Sequence, residues 1–365
     1  MAQASETCSV LFPERLFSRR PGAGQGARSI VLLGFLGVLL VLLLTGVIYQ
    51  VAGAARDARA FPPPGRMVDI GGVRLHLSSA GPSGPVIILD SGIGASSLSW
   101  GLVMPELARF ARVHAYDRAG LGWSERARRP RLASLLAEEL HMLLDRAGIS
   151  GPYILVAHSF GGYVERLFAN NYPGEVAAMV LVDSPDTSEW IHPTPERIKR
   201  LRGGAFFCLL GAWLARAGVV RFCLNRLGEG ATSIPQAVTK SFGRTAFDLT
   251  KRMVGQVMKL PAESWRVAQA HWSCPESFLS LANHLHHLPE SAAEVAACGS
   301  LGDLPLVVLT ASEPSPERRE HQDAVARLSS RGRHIVADRG GHWLHLDEPE
   351  LVIEAIRSVS PTATR

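Results

Sequence analysis

Lysine is scarce in this chain: Lys199, Lys240, Lys251 and Lys259 are the only four in 365 residues. The net charge of +5 is therefore carried by arginine, and the basic residues are scattered. No basic stripe is interleaved with aromatics, which argues against a nucleic-acid partner. Cysteine is sparse too. Cys8, Cys208, Cys223, Cys274 and Cys298 lack any CxxC spacing, so neither a zinc knuckle nor a dithiol redox motif is present. The cluster His284-x-His286-His287 has no carboxylate or thiolate at ligand spacing. It reads as a helix surface, and no metal site is expected. Internal repeats and long low-complexity segments are also missing. With 47% apolar residues, the chain is not a disordered or acidic-tail protein.

Charge is absent altogether from residues 29–55, and 30–51 is almost continuous Leu, Val, Ile, Gly and Phe. That is the length a helix needs to cross a bilayer core, about 20 residues. It lacks the polar face that a surface helix of a globular protein carries. An uncleaved transmembrane anchor is the favoured reading. A cleaved signal peptide is the alternative, because Ala52-Gly53-Ala54 resembles a small-residue cleavage site. Arg15, Arg19, Arg20 and Arg28 precede the segment, and Arg56, Arg59 and Arg66 follow it. This bias predicts a cytoplasmic N-terminal tail and an extracytoplasmic C-terminal body, or an exported soluble form if the segment is removed. Cys8 then stays inside. The other four cysteines either form two disulfides or serve as small buried hydrophobes.

Beyond the apolar segment, Phe61-Pro62-Pro63-Pro64-Gly65 is a stiff spacer. Residues 67–70 and 73–77, separated by Gly71-Gly72, predict a β-hairpin. Strand-like runs at 86–89, 113–116, 153–156 and 178–182 alternate with helical patterns at 100–110, 132–147 and 162–171. Such alternation predicts an α/β fold, a mostly parallel doubly wound sheet with helices on both faces. After Asp183 the pattern of 188–300 is helical. Strands return at 306–309 and 334–336, with helices at 318–328 and 350–358. The expected organisation is a tail at 1–28, a membrane span at 29–55 and a linker at 56–65. The sheet domain follows in two parts, 66–187 and 303–365, with a helical cap at 188–302 inserted before the last two strands.

The chemistry centres on Ala157-His158-Ser159-Phe160-Gly161-Gly162, which directly follows the strand 153–156. A serine flanked by small residues at a strand-to-helix turn is the context of a nucleophile elbow. Ser159 is thus the candidate nucleophile of a serine hydrolase. A base should follow the last strand, where Gly340-Gly341-His342-Trp343-Leu344-His345 lies. His342 is the candidate base, with His345 and His158 as competitors. The side chain of His158 should point away from that of Ser159. An oxyanion needs two backbone N–H groups aimed at one point. Phe160, next to the nucleophile, supplies one. Ile93, in the loop Asp90-Ser91-Gly92-Ile93-Gly94 after the strand 86–89, is the candidate for the other.

The ordered series SGIGASSLSW, YDRAGLGWS, VAHSFGG, LVDSP and GGHWLHLDEPE resembles the α/β-hydrolase fold superfamily. It is similar in particular to the esterase, lipase and peroxidase-like branch with a helical cap between the sixth and seventh strands. The resemblance covers about residues 66–359 and implies that Arg118 and Trp123 brace the elbow. Ala157 replaces the first Gly of GxSxG, and Ser91-Gly92 replaces the usual His-Gly of the oxyanion loop. The acid departs further. The resemblance implies an acid after the seventh strand, where Thr310-Ala311-Ser312-Glu313 offers Glu313. A variant of the superfamily places it at the end of the sixth strand, and Leu181-Val182-Asp183-Ser184-Pro185 matches that. Asp183 is preferred over Glu313, with Asp186 behind both. Because the nucleophile is Ser rather than Asp, dehalogenase and epoxide hydrolase chemistry are disfavoured.

The expected activity is cleavage of a carboxylic ester or related acyl bond through an acyl-enzyme, with no cofactor. Peptidase, thioesterase, C–C hydrolase and cofactor-free peroxidase activity remain open. A catalytically idle ligand-binding or scaffold protein is the alternative. The expected partners are a small-molecule or lipid-like acyl substrate and, through the N-terminal segment, the membrane. The apolar cap segments 206–213 and 217–224 are read as an acyl pocket, a lipid contact or core packing within the cap.

Overall fold

The computed structural model describes residues 23–228, 255 and 258–360. The tail at 1–22 with Cys8, Lys240 and Lys251, and the cap stretch 229–254, lie outside the described residues. The chain divides into two units, Met1–Gly46 and Val47–Arg365. Helix α1 (Ala23–Ala60) supplies every described residue of the first and enters the second. Its apolar side chains from Ile30 to Val51 are exposed. The helix runs past the expected limit at 55 because Arg56-Asp57-Ala58-Arg59-Ala60 contains no breaker. Pro62 stops it, having no N–H and disfavouring helical geometry in the residue before it.

The second unit is built on an eight-stranded sheet. Its strands are β1 (Arg66–Asp69), β2 (Arg74–Ala80), β3 (Val86–Asp90), β4 (Arg112–Tyr116), β5 (Tyr153–His158), β6 (Val176–Val182), β7 (Leu306–Thr310) and β8 (Gly332–Val336). Their order is β1-β2-β4-β3-β5-β6-β7-β8. The first two strands join antiparallel, and every pair from β4 through β8 is parallel. The central strands VIILD, YILVAH and LVVLT are buried along their whole length. Continuous apolar sequence of that kind needs cover on both faces. The β1–β2 hairpin turns at Gly71 and Gly72, both at positive φ, and Asp69 Oδ1 accepts from both of their N–H groups.

Helices α2 (Met104–Leu107), α3 (Ala133–Arg146) and α4 (Gly161–Asn171) belong to the first part of the core. The expected single helix at 100–110 is instead a 3-10 turn, Ser97–Trp100, followed by α2. Pro105 explains the break: it cannot donate within a continuous helix but fits the first turn of a new one. Between β6 and β7 come α5 (Ser188–Ile191), α6 (Pro195–Arg216), α7 (Val219–Gly228), α8 (Trp265–Trp272), α9 (Pro275–His286) and α10 (Leu288–Ala296). The last of these faces the sheet domain, because Leu288, Ala292 and Val295 share one buried cluster with α3 and α4. Helices α11 (Pro316–Ala326), α12 (Leu344–Asp347) and α13 (Pro349–Val359) complete the unit. Trp100, Leu107 and the α13 residues Val352 and Ile356 cover the opposite sheet face. Cys208, Cys223, Cys274 and Cys298 are all free thiols, with Cys208 buried within the cap against Leu281 and Ala282. The packing reading describes Cys208; Cys223, Cys274 and Cys298 are only partly buried.

One buried carboxylate ties the sheet edge together. Asp117, just after β4, accepts from His76 Nδ1 at 2.8 Å, Ser97 N at 2.6 Å and Trp123 N at 3.1 Å. Burial pushes its pKa up, but these donors outweigh it and hold the carboxyl below its ordinary value. Asp117→Ala leaves two buried donors and one partly buried donor without an acceptor and should cost about 3 kcal/mol. Urea denaturation of the variant measures this; a loss below about 1 kcal/mol contradicts it.

Candidate active site

Parallel pairing of β5 with β6 sets His158 opposite Val182, so Ser159 and Asp183 leave the sheet at the same level. Ser159 N donates to Val182 O at 2.9 Å, and Asp183 N donates to Leu309 O at 2.8 Å. Among the described residues, the non-glycine positions at positive φ are Ser159 (51°), Asp183 (46°) and Glu313 (53°). They stand at or just beyond the ends of β5, β6 and β7. Such strain persists only where surrounding structure enforces it, and it concentrates at functional sites. Helix α4 begins directly after the elbow. A Cβ at Gly162 would lie 2.1 Å from Ser184 Oγ, so only glycine fits this turn. Ser184 Oγ in turn donates to Ser159 O at 3.2 Å.

His342 and Asp183 meet: His342 Nδ1 lies 2.6 Å from Asp183 Oδ2. The other oxygen, Oδ1, accepts from Ala311 N at 3.1 Å and Arg318 Nη2 at 2.8 Å. Burial raises the Asp183 pKa, yet His342 and Arg318 outweigh it and hold the carboxyl below its ordinary value. Glu313 is exposed, and no hydrogen bond or ion pair joins it to His342. Asp186 is engaged elsewhere, with Ser188 N at 2.9 Å and His321 Nδ1 at 2.6 Å. No hydrogen bond joins Ser159 Oγ to His342 among the described residues.

The competing histidines are packed inside. His345 is fully buried against Trp100 and His158, with ring centroids 4.6 and 4.3 Å away. Burial, followed by His342 and Lys259, pushes its pKa down to about 3. His158 is also buried, and burial then its histidine neighbours push it well below the usual imidazole value. Its Nε2 lies 2.8 Å from the His342 carbonyl, which links the elbow to the loop carrying the candidate base.

The loop after β3 passes close over the elbow: a Cβ at Gly92 would lie 3.2 Å from Ser159 Cβ. Ile93 follows at once, and Phe160 is buried on the other side of the serine. Arg118 holds this loop from below through Asp90 Oδ1 at 2.6 Å and the Ser91 carbonyl, with its guanidinium 5.4 Å from the Phe160 ring centre. Trp123 does not brace the elbow as expected. Its indole donates to Phe61 O at 2.9 Å, and its ring packs on His76 and His271, so it ties the spacer to the cap. His284 is likewise no surface residue. It is fully buried, with its ring centre 5.6 Å from that of Phe160.

Arg318 and Ser184 escaped the sequence reading. An arginine in the first turns of α11 carries no sign that it faces Asp183, because the two are 135 positions apart. Since the Asp183 pKa is lowered on folding, its stabilising contribution is complete above about pH 4 and lost as pH falls through the folded value. Arg318→Met reduces that shift. The variant should be less stable at about pH 7, with the deficit narrowing toward about pH 3. Denaturation midpoints across that range test the linkage, and a deficit that stays constant rules it out.

A family model for the alpha/beta hydrolase fold matches residues 84–204. The uncharacterized protein YqjL of Bacillus subtilis (strain 168) is 25% identical over 287 residues, 76% of this chain and 85% of its own length. The next curated relatives are spanned over only 19–37% of their own lengths. Among solved structures, a thermophilic esterase from Thermogutta terrifontis matches with TM-score 0.54 and 21% identity, over 81% of this chain and 98% of that one. The Cif epoxide hydrolase from Acinetobacter nosocomialis matches with TM-score 0.61 and 17% identity, over 80% and 88%. Sheet order, capped topology and the family model over residues 84–204 agree that this chain has the α/β-hydrolase fold.

Proposed function

We propose that the protein is a serine hydrolase that cleaves a carboxylic ester or related acyl bond. The observation that carries this reading is the 2.6 Å contact between Asp183 and His342 beside the left-handed Ser159 turn. Ser159 Oγ attacks the acyl carbonyl while His342 Nε2 takes its proton. Asp183 fixes the imidazole tautomer and stabilises the imidazolium as it forms. The N–H groups of Phe160 and Ile93 hold the oxyanion. His342 returns the proton to the leaving group, then activates the water that frees the acid. No cofactor enters these steps. The epoxide hydrolase neighbour shares the fold, but the serine at the nucleophile position favours acyl transfer here over attack by a carboxylate.

Ser159→Ala and His342→Ala should each lower kcat by about 10⁴-fold or more on an acyl ester panel, since such groups act as a unit. Fluorophosphonate labelling should vanish in Ser159→Ala. Asp183→Asn should cost about 10³- to 10⁴-fold near neutral pH, and Glu313→Gln little. Labelling that survives Ser159→Ala overturns the nucleophile assignment; an idle binding protein shows no labelling at all. A damaging Glu313→Gln beside a mild Asp183→Asn returns the acid to the loop after β7.

We further propose that α1 is retained as a membrane anchor, with the hydrolase body on the extracytoplasmic side. Gln50 supports retention: it is buried, donates to Ser273 O at 2.9 Å and accepts from Arg221 Nε at 2.9 Å. Cleavage after Ala54 strips this partner from Arg221, which is only 2% exposed. The arginine-rich segment before the span supports the orientation. The protein should resist carbonate extraction, and a reporter fused after Arg365 should be active only outside the cytoplasm. A soluble form beginning near Ala55 contradicts the anchor.

A further inference from the structure

Helix α6 of the cap is apolar on two opposite faces. Cys208, Ala212 and Ala215 are buried, and Gly211 meets Phe278 so closely that a Cβ would lie 2.6 Å from its ring. On the outward side Phe206, Leu209 and Trp213 recur at helical spacing and are 63%, 48% and 70% exposed. After an 87° bend, α7 adds exposed Val219 and Phe222. A surface helix ordinarily turns charge toward water on this side. A contiguous apolar patch with tryptophan and phenylalanine marks an interaction surface instead.

Two further observations identify what covers it. The first is charge. Helices α6 and α7 carry seven basic residues and one acidic one, Glu196; Arg221 is buried on Asp57 and Arg197 faces Glu189, while Lys199, Arg200 and Arg202 are exposed. On the exposed side of α6, Lys199 and Arg202 lead directly into Phe206, Leu209 and Trp213. Cations followed by aromatic and aliphatic side chains on one stripe suit an anionic headgroup layer with acyl chains beneath it. The second is continuity. Within the second unit, Arg221 of α7 bonds Gln50 and Asp57, and it lies where a Cβ at Gly53 would be 2.6 Å from its Cδ. Asn225 Nδ2 donates to Tyr49 Oη at 2.7 Å. Helix α7 is thereby pinned beside Val47, Ile48 and Val51, the exposed apolar end of a sequence uncharged back to Ser29.

We infer that the outward face of α6 and α7 is seated in the surface of an anionic bilayer, so that the cap meets the membrane directly. The inference rests on the anchor reading for the neighbouring helix end, and it is independent of the catalytic one. It gives the cap a membrane-facing side from which an acyl lipid can be drawn.

The test uses the full chain in phosphatidylcholine/phosphatidylglycerol (7:3) vesicles containing dibrominated phosphatidylcholine. Trp213 is the most exposed of the tryptophans with a described exposure. Bromolipid quenching should fall markedly in Trp213→Phe and be regained in Trp213→Phe/Phe222→Trp. Both substitutions sit at exposed positions, and far-UV circular dichroism verifies their folding. Equal quenching of wild type and Trp213→Phe in floating, carbonate-resistant vesicles overturns the cap contact and leaves the anchor standing. Quenching with carbonate-extractable protein upholds the cap contact and overturns the anchor. Protein that does not float overturns both. Trp213 shielded from both bromolipid and aqueous acrylamide means a protein covers the face, such as a second copy, and overturns the lipid assignment.

Discussion

The parallel register of β5 with β6 and β7 is the constraint on which the rest of the site depends. Pairing His158 with Val182 and Val182 with Leu309 brings three adjacent strands to one level at their C-terminal ends. Backbone hydrogen bonds from Ser159 N and Asp183 N extend the ladder by one residue into the left-handed turns. A one-residue slip in either pairing would move a strained residue away from its neighbour and reverse every side chain along that strand. The fully buried strands prevent this, since reversal would exchange the two hydrophobic faces.

Electrostatics then sort the groups around that level. Asp183 is buried but satisfied on both oxygens by His342, Arg318 and Ala311, which keeps it ionised. Glu165, behind the elbow in α4, is buried with neither oxygen paired. Burial, with Asp90 next, raises its pKa well above the ordinary value and favours the neutral acid. The same logic keeps His158 and His345 uncharged. His342, with its side chain 46% exposed, is the imidazole of this group that reaches both solvent and a carboxylate.

The cap follows a different rule. Its inner helices pack through small residues, as at Gly211 and Ala212, and its last helix, α10, is held by the core cluster. Its outer side carries apolar side chains that no core explains. Arg221, buried between Gln50 and Asp57, connects that side to the end of α1.

Local pattern was sufficient for much of this molecule. Continuous apolar runs between turn residues marked the buried strands, and the small residues around Ser159 marked the strained turn, because both depend on near neighbours in sequence. The same holds for His342, set by the loop after β8. Other features depended on distance in space. The LVDSP strand end favoured Asp183 over Glu313 without separating them, and only the packed sheet decides which lies within 2.6 Å of the imidazole. Arg318 on Asp183, Trp123 on Phe61 and Arg221 on Gln50 join residues far apart along the chain. The sequence alone determined the strand pattern, the elbow and the apolar segment. Tertiary structure decided which charged groups meet, because hydrogen bonds and Coulomb attraction act across a few ångströms that chain order does not encode.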